Sequence, residues 1–429
     1  MIEAIKRKDN TSLWLIYYII LGVIQAMWTN PSAFPPLPLR LAMNVAVFFP
    51  MLLRRECAIF GIPFFMILRG QLGTDYQYMP DIHSYNIYIP VILLLLIIHY
   101  NGFTLKYLKV YAPLIFFLVY MWVIDILGIS ECGLYVTNLF IAFIYSLLIS
   151  SKQDTKILLQ ALVSVCAILA AYYIIMFDQF LETWDAAEGI ERSGWNDPNY
   201  FSTLLGIGLL LATLVLLRYV KCDFVLFTPL TLIAIIILIY IAIILTASRA
   251  GFISSSVILL FALIKSRPKL STIFFSVSLL TICLIVMYRL GIFDTLLYRM
   301  LEQDNLDTGG GRTTIWLRVV QNFGDQSIIN QFFGSGYWHR SLLSGGAEMH
   351  NELIAIWADY GYVGAVIFIF MILSMLFNNY RMDRVRSVAV MYYILMIVSL
   401  SPFQYINVGF LLVWILSLKL TSDEVSLEE

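Results

Sequence analysis

The sequence predicts an all-α, polytopic integral membrane protein, and three observations carry that prediction. Of its 429 residues, 60% are hydrophobic and only 13% charged, with a mean hydropathy of +0.84. A soluble chain of this length cannot hide so much apolar surface, since even large domains leave much of it exposed. Many apolar runs exceed about fifteen residues, so lipid is the solvent for most of the chain. The alternation of a β-barrel strand is absent, and backbone groups in lipid must be satisfied internally, so the spans are helices.

The candidate spans are 13–28, 41–53, 57–68, 86–99, 110–127, 132–150, 157–177, 199–217, 224–247, 250–264, 270–288, 353–377, 387–400 and 403–419. Segments 41–53 and 57–68 are shorter than the roughly 20 residues of a full crossing. They form either two crossings or one re-entrant hairpin, with the same parity. Residues 387–419 are one tilted helix or two, with Ser401-Pro402 favouring a break. The expectation is 12 to 14 helices in a single membrane domain, 1–429. One long polar connection, 289–352, carries a short amphipathic helix. The start, MIEAIKRKDN before an apolar run, reads as an uncleaved signal anchor.

Orientation follows from the basic residues of the short loops. With Lys6, Arg7 and Lys8 in the cytoplasm, eighteen of the 27 basic residues fall inside, including every lysine. The opposite side keeps nine arginines: Arg40, Arg69, Arg192, Arg249, Arg289, Arg299, Arg312, Arg318 and Arg340. A net charge of -1 argues against a nucleic-acid partner. The five cysteines are scattered through apolar runs, and the four histidines show no zinc-site spacing. Neither a metal nor a cofactor is expected.

Snorkelling to the interface explains an arginine at a helix end, and it covers Arg40, Arg69, Arg289 and Arg299. Three others have more specific surroundings. Arg249 lies in Thr246-Ala247-Ser248-Arg249-Ala250-Gly251, a tight junction between two spans with Ser248 as N-cap of the second. Free N–H groups, a helix dipole and a guanidinium there suit a phosphate. Arg312 follows Gly309-Gly310-Gly311 and opens a stretch in which Ile315, Trp316, Val319, Val320 and Phe323 recur at helical spacing. That spacing predicts a helix on the outer membrane surface. Arg192 stands before Trp195 and Asp197-Pro198-Asn199, where Asp197 and Pro198 read as N-cap and first helical residue. His350 sits where the long connection re-enters the membrane, and position alone does not separate it from His339.

At these residues the sequence resembles the O-antigen polymerase and ligase superfamily of bacterial envelope glycan assembly. The matching elements are Arg192 to Asn199, Ser248-Arg249-Ala250-Gly251, Gly311-Arg312 with Trp316, Gly334-Ser335-Gly336, and His350-Asn351-Glu352 followed by Asp359-Tyr360-Gly361-Tyr362-Val363-Gly364. They run in family order over roughly residues 190–375. The resemblance implies a GT-C-like glycosyltransferase of the bacterial inner membrane, with a cytoplasmic N-terminus and a periplasmic active site. Its donor is an undecaprenyl-diphosphate-linked glycan, and its acceptor the sugar of another lipid-linked repeat unit. The family's essential arginines map to Arg249 and Arg312 and its histidine to His350, with Arg192 a further match. A chain-length regulator is an implied partner, besides the membrane lipids.

The residue types suit that chemistry. Two guanidiniums match the charge of a diphosphate and grip its oxygens in pairs. They also stabilise charge gathering on the leaving group. Histidine titrates near neutral pH and is suited to general-base work. Trp195 and Tyr337 offer faces for stacking on sugar, while interfacial anchoring explains them equally well. The alternatives are a ligase transferring the glycan to lipid A-core and a flippase for lipid-linked oligosaccharides. Most span interiors lack the midplane charges and internal repeats of transporters.

Overall fold

The computed structural model describes residues 11–28, 36–68, 84–99, 108–130, 133–149, 152–177, 198–220, 222, 224–246, 248–266, 281, 285, 288–289, 312–347, 349–382 and 391–397. All regular structure among them is helical, as the composition requires. In chain order the helices are α1 (Thr11–Met27), α2 (Leu37–Leu53), α3 (Arg55–Gly61), α4 (Ser84–Ile98), α5 (Leu108–Ile126), α6 (Gly133–Leu148) and α7 (Lys152–Ile175). They continue as α8 (Pro198–Leu216), α9 (Pro229–Leu245), α10 (Arg249–Ser266), α11 (Arg312–Gly324), α12 (Ile328–Phe333), α13 (Arg340–Ser344) and α14 (Glu352–Met382).

Three of these are long and apolar enough to cross a membrane: Gln153–Ile175, Asn199–Leu216 and Glu352–Ser374. Thr11–Met27, Leu37–Leu53, Tyr111–Ile126 and Pro229–Leu245 are apolar but shorter. The expected span at 403–419 lies outside the described residues, that at 270–288 largely so, and that at 387–400 by half, its residues 391–397 being helical. Local chemistry explains where helix ends depart from hydropathy. Residues 224–228 are not helical although apolar, because Thr228 caps α9 through Thr231 N–H (3.2 Å) and Pro229 takes its first turn. Pro63 has no N–H to continue the ladder of α3, and the chain passes into a π-helix, Ile62–Ile67. Helices α2 and α3 pack together across one extended residue, Arg54.

The chain divides into two compact units. The first comprises Met1–Phe103 and Leu148–Phe293, and so holds α1–α4 and α7–α10. Helix α8, buried almost all round, is packed by α7, α9 and α10, as befits a helix apolar on every face. Gly208 permits the close approach of α7, since a Cβ there would lie 2.4 Å from Cys166 Cβ. At the end where α3 and α7 begin, Arg55 donates to both Asp154 carboxylate oxygens (3.2 and 2.8 Å) and to the carbonyls of His99 (2.8 Å) and Leu148 (3.0 Å).

The second unit comprises Thr104–Leu147 and Asp294–Glu429. Its axis is α14, packed by α5 and α12. Gly361 interrupts α14 with φ 66° and ψ -168°, and Phe117 of α5 packs against Tyr360 and Phe368 on either side of the break. The segment expected to carry one amphipathic helix holds α11, α12, a 3-10 turn Tyr337–His339 and α13.

Candidate functional site

In the first unit the junction around Arg249 is built from side chains of two helix starts. Thr246 ends α9, and Ser248 caps α10 by accepting Gly251 N–H (3.2 Å). Ser248 O–H in turn donates to Asn199 Oδ1 at 2.8 Å. Asn199 is 6% exposed, and its carbonyl accepts the hydroxyls of Ser202 and Thr203, each at 2.8 Å. The start of α8 is thereby fastened to the start of α10. Gly251 makes this possible: a Cβ there would lie 2.3 Å from Ser202 Oγ. Arg249, the first residue of α10, is partly exposed. Two helix N-termini thus meet beside Arg249, and their dipoles together with its charge favour an anion. The Ser248 cap was legible in sequence; its bond to Asn199 was not. Pro198 opens α8 as expected, while Arg192, Trp195 and Asp197 lie outside the described residues.

The second unit holds Arg312, Tyr337 and His350. Helix α11 starts at Arg312. Its Val319 and Phe323 pack with Leu343, Met349, Ala355 and Ala358, and against Ile354 and Trp357. Of the five apolar residues at helical spacing, Val319 and Phe323 face protein, while Val320 and the neighbouring Leu317 are exposed. Trp316 Nε1–H donates to Met349 O (2.8 Å), Asn322 to Leu343 O (2.8 Å) and Arg318 to Ser344 O (3.3 Å). The helix that Arg312 opens is therefore sewn to the strip of chain that ends at His350.

His350 itself adopts φ 48°, a left-handed conformation unusual for a side-chain-bearing residue. Both neighbours impose it. Met349 is buried with its carbonyl held by Trp316. Asn351 caps α14, its Oδ1 accepting Ile354 N–H at 3.1 Å, and Glu352 behind it is fully buried. Backbone strain maintained by surrounding structure clusters at functional sites. His339, by contrast, is exposed on the 3-10 turn, and His99 Nε2 contacts Met51 O at 3.0 Å in the first unit.

Sequence reading passed over Arg340, which the fold places at the break in α14. Its guanidinium is paired with Asp359 through two hydrogen bonds, one of them Nε–Oδ1 at 3.1 Å. It also lies 4.6 Å from the ring centroid of Tyr337. One face of Tyr337, expected to stack on sugar, thus carries Arg340. The carbonyls freed by Gly361 are all taken: Ala358 O by Ser335 N–H (3.4 Å), Asp359 O by Gly336 N–H (3.1 Å) and Ser130 O–H (2.7 Å), Tyr360 O by Tyr120 O–H (2.9 Å). A Cβ on Gly334 would sit 1.9 Å from Asp359 O, and one on Gly361 would sit 2.4 Å from Phe332 backbone. The Gly334-Ser335-Gly336 and Asp359-Tyr360-Gly361 motifs are therefore two sides of one backbone-to-backbone joint.

Among the described residues no group of three or more His, Cys, Asp or Glu side chains is placed to hold a metal ion. An apolar groove of about 660 Å³ in the first unit is lined by Ile19, Val23, Ala167, Ala171, Ile175 and Ile235 among others. Its chemistry suits a lipid chain and no charged group.

Residues 232–369 match the family described as O-antigen ligase. The matched segment covers about a third of the chain. That segment takes in Arg249, Arg312, Tyr337, Arg340, His350 and Asp359. Neither a curated protein nor a solved structure matches the chain.

Proposed function

We propose, from the premise that residues 232–369 form an O-antigen ligase-family segment within an all-α membrane protein, that the chain is a polysaccharide polymerase. It joins a growing glycan, carried on undecaprenyl diphosphate, to the sugar of another lipid-linked repeat unit at the periplasmic face of the inner membrane. The observation that carries this reading is the strained, clamped His350 within the matched segment. Arg249, partly exposed beside two helix starts, supports an anion-binding role.

In the proposed step, the acceptor hydroxyl oxygen forms a bond to the anomeric carbon as that carbon's bond to the diphosphate oxygen breaks. His350 takes the hydroxyl proton. The electron pair departs with undecaprenyl diphosphate, whose charge Arg249 and Arg312 offset, aided by Arg192. Attack opposite the leaving group inverts the anomeric centre. The two guanidiniums supply the charge that a divalent ion supplies elsewhere, so the proposed reaction is metal-independent. The apolar groove of the first unit has the right chemistry for an isoprenoid tail, and Trp195 and Tyr337 are the proposed sugar contacts.

A second reading is favoured by the family's own description, O-antigen ligase: the same donor and residues, with lipid A-core as acceptor. Purified protein given only lipid-linked repeat units should yield a ladder of products, undiminished by a metal chelator. Product appearing solely after lipid A-core is added establishes the ligase and removes the polymerase.

A further inference from the structure

Helices α11 and α12 carry an apolar surface that the reaction does not use. Leu317, Val320, Ile328, Ile329, Phe332 and Leu342 are each half or more exposed, Ile328 at 73%. All belong to the connection between membrane spans, where a segment surrounded by water would present polar groups.

Several polar side chains of this region turn inward instead. Gln331, on the short helix α12, donates its amide to Gly324 O and Gln326 O, both at 2.9 Å. Asn322 and Trp316 likewise donate to backbone carbonyls of the connection. Helix α12 itself has no buried residue and directs Ile328, Ile329 and Phe332 outward. Polar atoms satisfied internally with hydrocarbon outside is the arrangement that lipid demands and water penalises.

Helix α11 divides its circumference in three. Val319 and Phe323 face protein, Leu317 and Val320 are exposed hydrocarbon, and Thr314, Arg318 and Gln321 form an exposed polar stripe. A helix lying in a membrane interface against its own protein needs these three faces. The apolar face also continues beyond the connection. Phe332 meets Tyr362 edge-on at 6.2 Å. Tyr362 begins the exposed stripe of α14 that runs through Val366 and Phe370, within a stretch able to cross a membrane.

We infer that α11 and α12 form a hydrophobic foot, sunk into the acyl chains of the leaflet in which α14 begins. The foot fixes the depth of the protein at that surface. It holds the start of α11, and through Trp316 the strip ending at His350, at the level of lipid headgroups. Nothing in this inference depends on which reaction is catalysed, so it survives failure of the polymerase reading.

Spin labels on cysteines introduced singly at 314, 321, 328 and 332 of the full chain, in lipid nanodiscs, test it by collision with oxygen and with a water-soluble nickel chelate. The four positions are labelled in a chain whose five native cysteines are replaced by serine, since Cys222 is not buried, and that cysteine-free chain treated with the label supplies the background. Oxygen should dominate at 328 and 332 and the chelate at 314 and 321. Chelate access at 328 and 332 equal to that at 321 overturns the foot, because those positions are then in water. Low access of both reagents at 328 and 332 also overturns it, because the face is then covered by a second copy or another protein.

Discussion

At the scale of single residues, His350 and Asn199 are where chemistry and architecture can be separated. The left-handed conformation of His350 is one that asparagine also tolerates. His350→Asn should therefore fold like the parent while losing about 10²- to 10⁴-fold in kcat, the usual worth of a general base. Comparable turnover in the two proteins removes the general-base assignment, and His339→Ala, on an exposed turn, is expected to be mild. Asn199→Asp keeps the acceptor for Ser248 O–H and adds a negative charge at two helix starts, where the favourable dipole field is opposed by the cost of burying a carboxylate at a 6% exposed position. The same charge opposes an anionic donor beside Arg249. A melting temperature no higher than the parent's, with a raised KM for the lipid-linked donor, is the expected pair of results. Asn199→Leu, which strands a buried hydroxyl, should instead lower stability by about 1–3 kcal/mol. Lysine at 249 or 312 keeps charge but not the fork, so kcat should fall even with insertion intact.

At the scale of elements, α14 is decided by its break. Gly361 has both the positive φ and the 2.4 Å approach to Phe332 backbone that exclude a side chain. The ion pair of Arg340 with fully buried Asp359 locks the joint from one side. Asp359→Ala leaves a guanidinium buried without its carboxylate and should cost about 3–5 kcal/mol in unfolding measurements. Arg340→Met with Asp359→Leu removes both charges together and should recover most of that loss. Equal damage from the single and double variants would mean that the pair does not act as a unit. Helix α11 makes a related point. Helical spacing located it, yet the spacing of Ile315, Trp316, Val319, Val320 and Phe323 did not distinguish a face on protein from a face on lipid, because both are apolar.

At the scale of the molecule, the lysine-free side set by the positive-inside rule is an orientation proposal with a direct test. Alkaline phosphatase fused after Gly345 should be active and the same reporter fused after Ser266 inactive; the reverse pattern inverts the topology and moves His350 into the cytoplasm. Sequence by itself determined the all-α membrane class and most helix positions. Lipid forces every backbone group into local hydrogen bonds, so apolar runs, Ser248 and Pro198 mark where helices begin, whereas the Thr228-Pro229 start lay inside a span read from 224. The residues of the candidate site were named the same way, from motifs on short stretches of chain. Only the tertiary structure decided what those residues touch. Asn199 meets Ser248, Arg340 meets Asp359, Trp316 holds the carbonyl before His350, and Gly334 lies against the Asp359 backbone. Each joins parts of the chain that no periodicity relates, and a pairing made by packing leaves no trace in one sequence.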